Sequence, residues 1–151
     1  MEPLPPAAEV VRALGLQPLP EEGGLFRETF RDERSSGIYF MLVDPMVSRL
    51  HALSGDEMYH WYAGAPLQML LLGPDGRVDR PVLGPDVVHG ERPQLRVPGG
   101  VWQGSHSTGA WSLVGTTMAP PFDWQGFVMG DADELVAAYP SVAELIRRLL
   151  P

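Results

Sequence analysis

The chain contains no cysteine, which excludes disulfide staples, zinc-thiolate centres and thiol nucleophiles and leaves the scaffold to stand on packing alone. Lysine is equally absent, all 11 basic residues being Arg. Schiff-base chemistry and a Lys general base therefore drop out, and His, carboxylate, Tyr and Ser/Thr remain as groups able to move a proton. No apolar stretch approaches the roughly 20 residues that span a bilayer, and the opening M-E-P-L-P-P has neither a basic nor an apolar leader region. A soluble cytoplasmic protein without a membrane partner is the expectation. A formal net charge of -8 and a pI near 4.8 oppose approach to phosphate backbones, so nucleic acid is not an expected partner. Gly-x-Ser-x-Gly, Walker and dinucleotide-binding fingerprints are also missing.

What is present fits one domain over residues 1–151, because 151 residues with 44% hydrophobic content bury one core and not two. Glycine (17) and proline (16) are scattered between short apolar runs, which is the punctuation of many strands and tight turns rather than of a linker. The runs are Ile38–Val43, Glu57–Tyr62, Leu67–Leu72, Arg77–Leu83, Gln94–Val97, Ala110–Met118 and Trp124–Met129. Gly73-Pro74-Asp75-Gly76 between Leu72 and Arg77 predicts a hairpin, since Asp-Gly readily takes positive φ. Pro6–Leu14 predicts a helix stopped by Gly15, and Asp133–Ala138 a second ending before Tyr139-Pro140. Ser141 with Glu144 predicts a capping box for a third through Leu150. Strands in the middle and helices at the ends give an all-β antiparallel sandwich or small barrel whose interior is the place for a pocket.

His51 and Glu57 lie six residues apart across Leu53-Ser54-Gly55-Asp56 and are the leading candidates for chemistry. Tyr59 and Trp61 share the strand parity of Glu57, so they face the same interior either as a ligand wall or as core. His60, three residues past Glu57, points to the opposite face of a regular strand. Trp102 and Gln103 follow Pro98-Gly99-Gly100-Val101 and join the candidates for ligand contact. Alternation in Leu25–Arg31 puts Arg27, Thr29 and Arg31 on one face, either an anion clamp or a solvated edge. Arg49 is an anion contact or a rim residue, and His89 and His106 read as loop residues.

His51, Glu57 and Gly64 followed by Pro98-x-Gly100-x-x-Gln103 resemble the cupin metal-binding pattern with two of its four ligands replaced, Leu53 at the second His position and Gln103 at the third. The likeness extends further. Glu22-Gly23-Gly24, Phe26-Arg27-Glu28-Thr29, Ser48-Arg49-Leu50-His51, Asp56–Leu67, Val97–Gln103, Ser112–Gly115, Met118-Ala119-Pro120 and Tyr139-Pro140 resemble, in order and spacing, the DUF985 branch of the cupins, also called cupin-5. That resemblance implies a cupin jelly-roll β-sandwich, commonly a homodimer, with a cavity rimmed by the positions of His51, Glu57, His60 and Gln103. The shape is similar to sugar-nucleotide epimerases of the deoxysugar type. Two departures stand out, an added Glu before Gly23-Gly24 and Pro121 where Gly is usual, and neither is expected to touch the cavity.

The reading that follows is a small-molecule-binding cupin, an epimerase or isomerase in which His51 acts as acid or base and Glu57 orients it, without a cofactor. Arg27, Arg49, Tyr59, His60, Trp102 and Gln103 are the expected ligand contacts. One alternative is a non-catalytic metabolite-binding or storage-like module. The other keeps a divalent metal on His51 and Glu57 and makes the protein an oxygenase or metal-dependent isomerase.

Overall fold

The computed structural model describes residues 3–151. Twelve strands run through the described residues: β1 (Gln17–Pro18), β2 (Leu25–Arg31), β3 (Ser36–Val43), β4 (Val47–Leu53), β5 (Glu57–Gly64), β6 (Leu67–Leu72), β7 (Val78–Asp79), β8 (Val82–Leu83), β9 (Gln94–Val97), β10 (Trp102–Ser107), β11 (Trp111–Met118) and β12 (Phe127–Met129). They form two antiparallel sheets in the orders β1-β2-β3-β11-β5-β9 and β12-β4-β10-β6-β7, with β8 also on β6. Helices are α1 (Ala7–Leu14), α2 (Ala132–Ala138) and α3 (Ala143–Arg148). This is the jelly-roll sandwich expected.

Three apolar layers hold it together. Between the sheets, Phe40, Leu42, Tyr59, Met69 and Val114 pack together and fix the inward parity of β3, β5, β6 and β11. On the outer side of the first sheet, Met41, Trp111 and Leu113 receive Val10, Val11 and Leu14 of α1. Outside the second sheet, Leu50, Leu70 and Leu72 are covered by Leu135 of α2 and by Ile146 and Leu149 at the chain's end. Consecutive buried residues such as Phe40, Met41 and Leu42 are therefore the sign of a strand packed on both faces.

The Gly73–Gly76 hairpin forms as expected, with Leu72 opposite Val78 and positive φ at Asp75 and Gly76. Helix α1 ends on Gly15 at φ 65, and α2 starts on an Asp131 cap whose side chain accepts from the Glu134 N–H. The Arg77–Leu83 run splits into β7 and β8 at Pro81, which has no N–H to give to a ladder. Of Trp124–Met129 only the last three residues pair as a strand, since Asp123 caps a tight turn over Trp124–Gly126. The expected Ser141 capping box does not form. Ser141 lies inside a 3-10 turn, Pro140–Val142, and α3 begins at Ala143 without a side-chain cap. His106 sits within β10 rather than in a loop, while His89 lies in an exposed turn beside Asp86.

Gly64 closes β5 at φ 83, and a Cβ there would lie 2.5 Å from the Trp111 carbonyl oxygen. Both the backbone conformation and the space exclude a side chain, so Gly64→Ala is expected to cost about 2 kcal/mol or more. Urea titration checks this, and an unchanged midpoint would show that the β5–β6 corner yields.

Candidate active site

Between the sheets, toward one end, lies a cavity of about 980 Å³. Its apolar wall includes Phe26, Ile38, Leu53, Met118, Phe122 and Trp124, and its polar groups include Glu22, Glu28, Arg31, Glu57 and Asp123. Glu57 opens β5 pointing inward and is 7% exposed; Met118 is its partner on β11, and the buried Thr116, opposite Tyr59, hydrogen-bonds it from the same strand. His51 and Gln103 face each other as Cα partners on β4 and β10, both 1% exposed. Tyr59, two residues along from Glu57 and so on the same face, donates its hydroxyl to Gln103 Oε1 at 2.5 Å.

A break in register shapes this corner. Between the pairs Gln103–His51 and Ser105–Ser48, β4 carries one residue more than β10, the signature of a bulge. Ser48 and His51, three residues apart, thereby reach the same carboxylate. Ser48 Oγ donates to Glu22 Oε2 at 2.7 Å, and His51 Nε2 stands 3.4 Å from Glu22 Oε1. The Arg49 N–H donates to the Glu22 carbonyl, which pins the loop carrying Glu22 to the bulge.

His51 Nδ1 lies 2.6 Å from the Arg49 carbonyl oxygen. A carbonyl only accepts, so Nδ1 carries a hydrogen and the ring's remaining function is at Nε2. That atom is buried and completes no hydrogen bond. A neutral ring of this tautomer turns a lone pair toward Glu22, and the contact is favourable only when a proton lies between the two, on nitrogen or on oxygen. Phe127 stacks on the imidazole at 5.1 Å and holds its plane.

Burial, reinforced by the charge of Glu22, pushes the Glu57 carboxyl above the usual carboxylate range, while His51, Thr116 and Gln103 pull it back. Burial and then the charges of Glu57 and Glu22 push the Tyr59 phenol well above its ordinary value of 10.0, so it is a fixed donor and not a base. The corner thus combines two carboxyl groups with an imidazole.

The profile of the family described as Cupin superfamily (DUF985) matches residues 8–130. The chain belongs to this family. Among solved structures, protein SO0799 from Shewanella oneidensis is 34% identical with a TM-score of 0.90, over 97% of this chain and 98% of that one. A hypothetical protein from Leishmania major is 28% identical with a TM-score of 0.87, over 95% and 97%. Oxalate decarboxylase from Bacillus subtilis shares the fold at 14% identity and a TM-score of 0.61, over 89% of this chain and 37% of that one. No curated protein matches.

In this DUF985 cupin the donor set does not suit a cupin metal. Leu53 is an apolar part of the cavity wall, and the Gln103 amide oxygen is taken by Tyr59. Among the described residues no three His, Asp or Glu side chains come together in a way that could hold a metal ion.

The remaining sequence candidates scatter. Arg27 turns away from the cavity and donates from Nη1 to the Leu14 carbonyl, bracing the end of α1. A bulge between Glu28 and Phe30 shifts the alternation of β2, so that Arg31 joins Phe26 and Glu28 at the cavity instead of sharing a face with Arg27. Arg49 reaches Pro151 at the chain's end, Nη2 to the carbonyl at 3.5 Å. His60 faces outward, as parity requires, meeting Thr117 Oγ1 at 2.9 Å and stacking on Tyr62. Trp102 packs between the second sheet and the C-terminal helices, and Trp61 fills the inter-sheet core. None of these five lines the cavity.

Two cavity residues were not among the sequence candidates. Pro121, one of the departures from the family pattern, lines the cavity, and so does Glu22, from the matched Glu22-Gly23-Gly24 segment. Glu21 beside it is in left-handed backbone at φ 65. His51, conversely, stands behind the wall, and the carboxyl groups meet the cavity.

Proposed function

We propose that this cupin binds a small organic molecule in the inter-sheet cavity and moves a proton on it, in an isomerase or epimerase type of reaction. The observation that carries this reading is Glu57. It is a buried carboxyl at the cavity wall whose proton affinity burial raises above that of an ordinary carboxylate, the direction a catalytic acid or base needs. Glu22 and His51 form the second proton-holding unit. Glu22, which lines the cavity, can return a proton to a ligand after Glu57 has taken one, or the reverse, and an isomerisation needs both operations. His51 is then a positioning residue that acts through Glu22. Tyr59 and Gln103, which do not line the cavity, back Glu57 from behind, and Phe26, Phe122 and Trp124 supply the apolar faces.

Incubating the protein in deuterated water with fractionated small-molecule extracts tests the reading. Deuterium should enter a carbon of at least one compound, and incorporation that persists in Glu57→Gln would end the proposal. The homodimer belongs to the same reading. It is supported by the outward aromatic group of Tyr39, His60 and Tyr62, the last 48% exposed. A gel-filtration mass of one chain would remove it.

A further inference from the structure

The charges around the cavity are one-sided. Arg31 is the one basic residue lining it among the described residues, against Glu22, Glu28, Glu57 and Asp123. Its charge is already spent: Nε and Nη2 donate to the Glu28 carboxylate at 3.0 to 3.2 Å, and Nη1 donates to the Phe122 carbonyl at 2.9 Å. An incoming anion finds no free cation on these walls and meets carboxylates that repel it. A neutral ligand gains nothing from them beyond hydrogen bonds.

The side chains that hydrogen-bond Glu57, Thr116 and Gln103, are neutral, whereas Glu22 is tied into the bulge. Ser48 bonds one oxygen, and the other faces the unsatisfied Nε2 of His51, which is 1% exposed and directed into the acidic group. No Arg is among the groups that act on Glu57, and the His51 it senses is already turned to Glu22. Phe122 and Trp124 stand edge to face at 4.9 Å in the lining of the same cavity, and Phe26 lines it as well. A buried acid without a counter-charge, in a cavity with aromatic walls, suits a positive group, which takes the place of its proton. The positive group pairs with the carboxylate and also gains from the aromatic faces.

Resting on the cavity as the binding site, we infer that its ligand is cationic, a protonated amine or amidine with an apolar body, whose positive group pairs with Glu57. Nucleotides, sugar phosphates and dicarboxylates are thereby excluded as ligands, although the fold's likeness to sugar-nucleotide epimerases points toward them.

Three probes of one shape and three charges decide the matter: phenethylammonium, phenethyl alcohol and hydrocinnamate. Each is titrated into the full chain by saturation-transfer NMR, alongside Glu57→Gln and Gly55→Trp. The last places an indole at the cavity wall from a position where a Cβ has 3.6 Å to the nearest heavy atom, on Met118. The ammonium probe should bind at least about tenfold more tightly than the alcohol, equivalent to about 1.4 kcal/mol. The carboxylate should give no signal, and the preference should vanish in Glu57→Gln. Equal or tighter binding of hydrocinnamate, no binding of the ammonium at millimolar concentration, or a preference that survives Glu57→Gln overturns the inference. If the alcohol binds and Gly55→Trp displaces it while charge makes no difference, the cavity reading stands and only the ligand class falls. If Gly55→Trp, folded by circular dichroism, changes no probe's binding, the cavity reading falls as well.

Discussion

Glu57→Gln is expected to act in two opposite directions, lowering proton exchange by about 10²- to 10⁴-fold while making the fold more stable at neutral pH. The second effect follows from the raised proton affinity. Below about pH 4.5, the ordinary value for Glu, the side chain is protonated in both the folded and the unfolded chain and burying it costs no charge. As pH rises past that value the unfolded chain ionises first and the folded chain keeps its proton. The folded state then binds more protons, and stability is lost until pH has risen through the folded-state value. Glutamine fills nearly the same volume and never ionises, so the variant escapes this loss and is expected to be the more stable of the two above the window. The groups that face Glu57 are Glu22, His51 and Tyr59, and all three remain in the variant. Asp32 and Asp56 work in the other sense. Backbone N–H donors, from Arg34 and Ser35 to the first and from Gly99 to the second, hold them below the usual range. Their contribution is present above pH 3.8 and is lost as pH falls through their folded values. Because both are common to wild type and variant, the difference between two urea-midpoint curves against pH isolates Glu57. Parallel curves would show that Glu57 ionises in the fold as easily as in water.

The residues that the sequence placed correctly in space are those governed by strand parity and pairing. Glu57, Tyr59 and Trp61 alternate inward because β5 is regular over that stretch, and His60 turns outward for the same reason. The hairpin at Asp75-Gly76 was readable because its requirement for positive φ is local. Parity failed at the bulges. The irregularity in β2 moves Arg31 onto the cavity face and leaves Arg27 on the other, and the one in β4 brings Ser48 and His51 to a single carboxylate. A bulge is a property of two paired strands, and alternation within one strand carries no trace of it. Trp102 was assigned to the pocket through its neighbour Gln103, yet adjacent strand residues face opposite ways, and the helices that cover Trp102 lie some 30 residues further along. Glu22 was missed for a related reason. It enters from a loop distant in sequence from both His51 and Glu57, and only the folded chain brings the loop to the bulge.

Leu53→His together with Gln103→His is expected to convert the corner into a metal site. Leu53 lies two residues beyond His51 on β4, hence on the same face, and lines the cavity near the start of β5. Gln103 is the direct cross-strand partner of His51. Imidazoles at these two positions would complete a three-histidine, one-carboxylate set with His51 and Glu57, the ligand chemistry that zinc, nickel and iron favour. Part of the support for such a site already exists. The Nδ1–H of His51 bonded to the Arg49 carbonyl fixes the ring with Nε2 free, as the outer hydrogen bond of a metal-bound histidine does. The wild-type corner opposes a cation of this kind through its apolar residue at 53 and through the Gln103 amide already engaged by Tyr59. A gain in zinc or nickel affinity of about a hundredfold is therefore expected for the double variant, the span that ligand orientation alone can control. Equilibrium dialysis with elemental analysis measures it on tag-free protein. Tight stoichiometric binding by the wild type would mean instead that Glu22, His51 and Glu57 rearrange around a metal, with the unpartnered His51 Nε2 as one of its ligands.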